Sequence, residues 1–200
     1  MLPEINPTYS KHDTVWKDTW MIAGFREDEI SFNPNKIVDE FDGLLKEIID
    51  CGVNPRKTVM PHYIDMNENI VLTAGMTHVL KLWSGEESAT PDWFSLGTGT
   101  TAEDETQTDL VTEDSGGSYA RIQSSTAGQR KVINQTFKAG VQWIDSDISA
   151  TGITVGEVGY NWTVSTGSTC LARSVPTAFT FSAGDIYVTR LNISMANAAL

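Results

Sequence analysis

Residues 184–194, GDIYVTRLNIS, decide the fold. Ile186, Val188, Arg190, Asn192 and Ser194 alternate with Tyr187, Thr189, Leu191, Ile193 and, one step on, Met195. A period of two is the signature of a β-strand, whose successive side chains point to opposite faces. Which row is apolar changes along the strand, so its two faces are not cleanly divided. Working back from it, TCLARSV (169–175), GITVGEVGYNWTV (152–164), GVQWIDSDI (140–148), RKVINQTF (130–137), SYARIQSS (118–125) and WFSLGTGT (93–100) read as further strands. Gly-, Ser- and Thr-rich breaks separate them about every ten residues. Short strands with regular turn signals favour antiparallel pairing over alternating strand–helix units. The expected fold is therefore mainly β: an antiparallel β-sandwich, jelly-roll-like, with an N-terminal arm and two α-helices.

Upstream, the period changes. In KIVDEFDGLLKEIID (36–50), Ile37, Phe41, Leu44, Leu45, Ile48 and Ile49 fall on one helical stripe, with Asp39 and Glu40 near the positive end of the dipole and Gly52 as the stop. NIVLTAGMTHVLKLW (69–83) reads as a second helix with Asn69 as cap and Gly85 as stop. Residues 56–66 read as an extended connector, and residues 1–35, with Pro3, Pro7 and Pro34, as an irregular arm. The division follows: residues 1–67 as arm and helix for docking and oligomerisation, residues 68–200 as a helix-led sandwich.

Composition narrows the function classes. The 200 residues carry 14 Lys and Arg against 26 Asp and Glu, a net charge of -12. The cations are scattered, and a phosphate backbone needs them clustered, so a nucleic-acid partner is not expected. No stretch approaches the roughly 20 apolar residues of a membrane span. The N-terminal MLPEINPTYSKHDT lacks the basic and apolar regions of a secretory signal, which implies synthesis in a cytoplasm. Cys51 and Cys170 fit two buried thiols, and their spacing does not decide whether they pair.

No motif makes a convincing catalytic or cofactor site. LGTGT (96–100) is followed by AEDETQTD, which would repel a phosphate, so its glycines are read as turning a strand end. Glu103, Asp104, Glu105, Asp109, Glu113 and Asp114 offer oxygen ligands but not the spacing of a calcium loop; Asp145 and Asp147 are a weaker candidate. His12, His62 and His78 all precede the sandwich and support no serine triad. Paired carboxylates of the kind used in glycoside hydrolysis occur in any acidic chain. The sequons at Asn134, Asn161 and Asn192 read as chance matches in a Ser- and Thr-rich chain. No catalytic residue, cofactor or metal is assigned.

One resemblance covers residues 68–195. NENIVLTAGMTHVLKLWSG leads into WFSLGTGTT, then ETQTDLVTE, then Thr154-Val-Gly-Glu-Val-Gly-Tyr160, a turn near Thr166-Gly-Ser168, Cys170-Leu-Ala-Arg173, and a last strand opened by Gly184-Asp185. This order of elements resembles a type of tailed-virus (bacteriophage-type) virion structural protein. The resemblance implies the β-sandwich used in tail fibres, baseplate adaptors, head fibres and capsid decorations, commonly as trimers, and brings no catalytic residues.

The expected function is thus a structural component of a virion, a capsid decoration, turret or tail-associated adaptor. Its partners would be copies of itself, as a trimer, and other virion proteins. Trp16, Trp20, Phe25 and Phe32 are the candidate docking aromatics, since aromatic anchors dominate interfaces. The alternative is a receptor- or carbohydrate-binding module of a viral fibre, with Trp143, Tyr160 and Trp162 as an exposed stacking surface for a host glycan. Gly156 and Gly159 would admit a bulge, and Glu157 would pair with Arg173 across the hairpin.

Overall fold

The computed structural model describes residues 14–50, 59–116, 119–125, 128–144 and 152–197. The fold is mainly β, with antiparallel sheets and two α-helices among these residues. In chain order the elements are β1 (Thr14–Arg26), a 3-10 turn (Pro34–Lys36), α1 (Ile37–Asp50), β2 (Tyr63–Val71) and α2 (Thr73–Ser84). There follow β3 (Trp93–Gly97), β4 (Glu113–Asp114), β5 (Ile122–Gln123), β6 (Arg130–Ile133), β7 (Thr136–Ile144) and β8 (Ile153–Val155). The last four are β9 (Glu157–Asn161), β10 (Cys170–Ser174), β11 (Phe179–Phe181) and β12 (Asp185–Asn197).

One hydrogen-bonded path runs β4-β3-β9-β10-β2-β1-β12-β7-β6, with β5 beside β3. β2 joins its two halves: residues 63–69 pair with β1, whereas Ile70 and Val71 pair with β10. The halves face each other across the main core. Trp20 and Ile22 of β1, Val141 and Trp143 of β7 and Leu191 of β12 meet Phe94 of β3, Val158 and Tyr160 of β9 and Leu171 of β10. The Trp20 and Phe94 rings contact edge to face with centroids 5.9 Å apart. β8 and β11 form a separate pair that adds Val155, Phe179 and Phe181 to the same core.

The opposite face of β1 and β12 is also covered. Met21, Ala23, Phe25, Ile186 and Val188 pack under Ile37, Val38 and Phe41 of α1, with Phe32 closing the cluster. Period-two alternation thus fills both faces with apolar residues, because these two strands lie between a second sheet and a helix. Further along, the helix-facing row of β12 turns polar at Arg190, which ion-pairs with Asp42 of α1. Lys138 of β7 reaches the same carboxylate at 2.9 Å, and Lys131 of β6 pairs with Asp39. Burial pushes the Arg190 guanidinium down to about 10.

Several expectations are corrected. Residues 14–26 are a strand in the middle of the path rather than part of an irregular arm. No division falls at residue 67, which lies inside β2. Asn69 belongs to β2; α2 starts at Thr73 behind Leu72 and ends at Gly85, whose φ of 79° makes the left-handed stop. RKVINQTF is two strands, β6 and β7, joined by a two-residue turn at Asn134 and Gln135 with φ of 48° and 64°. Gly52 lies outside the described residues.

Candidate functional site

Two buried arginines organise the acidic stretch between β3 and β5. Glu157 and Arg173 are both 0% exposed, and Arg173 Nε and Nη2 meet Glu157 Oε2 at 2.8 and 2.7 Å. Glu157 also accepts the backbone N–H groups of Val111 at 3.0 Å and Thr112 at 2.6 Å. Arg173 donates onward to Gln107 Oε1 and the Thr101 carbonyl. A Cβ at Gly97 or Gly99 would lie within 2.7 Å of the Glu157 carboxylate. Neither glycine has a positive φ, so they make room for a buried charge rather than turning the strand end.

Arg121 is the second centre. Its Nε and Nη2 donate in parallel to Glu113 at 2.6 and 2.7 Å, a bidentate pair, and Nη2 also reaches Asp109. Its Nη1 donates to the Thr163 carbonyl and Ser168 Oγ. Glu103 accepts the Val175 N–H at 2.6 Å, and Asp104 accepts from Thr106. Of the carboxylates considered for calcium, Glu103, Asp104, Asp109, Glu113 and Asp114 are therefore held by N–H and O–H donors, and among the described residues no group of three or more metal-binding side chains forms. Asp145 and Asp147 lie outside the described residues.

The aromatic candidates are buried. Trp143 is 0% exposed and donates Nε1–H to Thr189 Oγ1. Tyr160 is 0% exposed, shares a hydrogen bond with Ser124 Oγ and sits 4.7 Å from Phe94; burial pushes its phenol pKa up. Trp162 lies beneath α2, its ring 4.9 Å from His78 and its Nε1 donating to the Ala89 carbonyl. No exposed stacking platform exists at these three. Trp20, Phe25 and Phe32 are likewise inside this chain's own clusters, so they are not free docking anchors. Trp16 lies in β1 opposite Met195, with its side chain outside the described set. Asn161 is fully buried and donates to Ser95 Oγ, which removes it as a glycan acceptor. Cys170 is a buried free thiol, its pKa pushed up by burial, and Cys51 lies outside the described residues.

The apolar features that do face solvent lie on α2 and beside it, and they include Leu80 and Trp83, which helical spacing assigns to the packing face of that helix. α2 packs tightly on β10: a Cβ at Gly75 would come within 2.5 Å of the Leu171 Cα. Val79 and Leu82 turn into the core, whereas Leu80 and Trp83 point outward at 57% and 70% exposure. Beside this stripe opens a groove of about 420 Å³. One wall is the row Ile193, Phe137, Val132 across β12, β7 and β6, and the other is Val79, Leu171 and Pro91. This row continues the inner face of the sandwich past the end of the facing sheet, so core-type side chains emerge at the surface; Val132 is 71% exposed. Arg130 and Lys131 of β6 and Thr90 supply its polar groups.

A second hollow holds His62, Tyr63, Phe179 and Tyr187 beside the Arg26–Asp185 ion pair. Tyr187 donates to the Thr180 carbonyl and Tyr63 to that of Thr177, so its hydroxyls serve the fold. Among the described residues no helix is long and apolar enough to cross a membrane. No family model, curated protein or solved structure matches the chain.

Proposed function

We propose that the chain is a structural component of a tailed-virus particle, a capsid decoration, turret or tail-associated adaptor that acts by assembly and attachment. It self-associates as a homo-oligomer, a trimer by the resemblance above, and meets other virion proteins on the particle. The observation that carries the assembly part is Trp83, which stands 70% exposed beside Leu80 on a helix locked to the sheet. A large aromatic exposed to water contributes little to the isolated fold, whereas interface anchors are enriched in Trp. Repetition of one such contact by symmetry gives a closed oligomer. The virion setting is carried by the order of sequence elements.

Light scattering on the purified chain tests the assembly. The wild type should show the mass of an oligomer, and Leu80→Lys with Trp83→Ser should lower it towards 21.9 kDa, the mass of one chain, with the melting temperature little changed. A wild-type monomer at all accessible concentrations would overturn the reading. Nothing favours the glycan-binding alternative, since its three aromatics are buried.

A further inference from the structure

We propose that the groove between α2 and β6 is a binding site for a medium-chain fatty-acid anion, with the carboxylate on Arg130 and the tail along Phe137, Ile193 and Leu171. The first observation is electrostatic. Of the five described arginines, Arg26, Arg121, Arg173 and Arg190 each hold a carboxylate of this chain. Arg130 holds none. It donates Nη1–H to Thr90 Oγ1 at 3.1 Å and contacts the Tyr160 hydroxyl, both neutral groups. Arg130 is also one of the residues that line the groove, in a chain with 26 carboxylate side chains. A guanidinium presents a planar fork of donors that matches a carboxylate.

The second observation is the rest of the lining. Beyond Arg130, Lys131 and Thr90 the walls are aliphatic and aromatic, and Lys131 is already paired with Asp39. A site of about 420 Å³ is within the range of small-ligand pockets, and one charged group in an apolar trough fixes which end of the ligand goes where. A peptide laid along these walls would leave amide groups against Leu171 and Ile193 without partners, at a cost in affinity for each. A hydrocarbon tail has no such groups. The chemistry thus favours an aliphatic carboxylate over a peptide, and it does not depend on the oligomeric state.

The test is isothermal titration of the full chain with sodium decanoate below its aggregation concentration, compared with decanol and with the Arg130→Gln variant. Saturable binding of one decanoate per chain is expected. Loss of the charge-assisted pair should weaken it roughly ten- to hundredfold in Arg130→Gln, and decanol should be weaker than decanoate by a similar factor. Val132→Asp, at a site 71% exposed, places a negative charge at the apolar rim and should weaken decanoate without unfolding the chain; it serves as the decisive variant if Arg130→Gln does not fold. The proposal is overturned if decanoate shows no saturable binding, if decanol binds equally well, if folded Arg130→Gln binds as the wild type does, or if Val132→Asp leaves binding unchanged.

Discussion

At the scale of single residues, this chain spends its charge on the inside. Glu157 satisfies two backbone N–H groups and Arg173 at once, and Arg173 ties the same point to Gln107 and Thr101. Such a centre fixes a loop that has little apolar matter of its own: Leu110 is its buried residue under Cys170 and Leu72. Removing one charge strands the other in a medium that solvates it poorly. Glu157→Gln should therefore lower unfolding stability by roughly 3–5 kcal/mol, read as a fall in the denaturation midpoint. Replacing both partners together, Glu157→Leu with Arg173→Met, should recover part of that loss; a single variant as stable as the wild type would dismiss the pair as a structural centre. The pairing was legible in sequence because a short hairpin brings GEVG opposite LAR. The role of Gly97 and Gly99 was not, since a glycine that yields space to a distant carboxylate looks the same as one that turns a strand.

At the scale of elements, the misread boundaries have local causes. NIVLTAG carries both a run of β-branched residues and the start of a helical stripe, and pairing with β1 and β10 extends the strand to Val71 before the helix begins. The β6–β7 hairpin was hidden because its turn is Asn-Gln, not the Asn-Gly that usually marks a two-residue loop. Gln135 sits at φ 64°, a left-handed conformation that costs a side-chain-bearing residue about 1–2 kcal/mol. Gln135→Gly should remove that strain and stabilise the chain by about 0.5–1 kcal/mol after the greater freedom of glycine in the unfolded state is counted. A lower denaturation midpoint for Gln135→Gly would show that the Gln135 backbone is not strained. The stretch matters beyond its own stability, because it holds Val132 and Arg130 at the lip of the groove.

At the scale of the molecule, the strand-rich C-terminal half was readable from period and turns, whereas the centrality of β1 was not. Trp20 and Phe25 look like anchors waiting for a partner until β12 pairs along the whole of β1, with Trp20 facing Phe94 of the second sheet and Phe25 facing Phe32 and α1. The groove was unreadable for a related reason: its walls come from β12, β7, β6, β10 and α2, and Arg130 differs from other arginines only in what it fails to meet. Burial on this scale also predicts how the whole fold responds to base. Desolvation raises the pKa values of Tyr63, Tyr160 and Tyr187, the last from 10.0 to about 12. The unfolded chain releases these protons near pH 10, while the native chain keeps them. These three tyrosines leave the native state with more protons between pH 10 and 11, which outweighs the one proton that Arg190 releases near pH 10, so stability falls as pH rises through that region. Between pH 10 and 11, urea midpoints should drop with a slope that reports this proton excess, and Tyr187→Phe should reduce it by roughly half to four-fifths of a proton. A wild-type slope of zero, left unchanged by Tyr187→Phe, would mean that these hydroxyls titrate in the native chain as they do in the unfolded one.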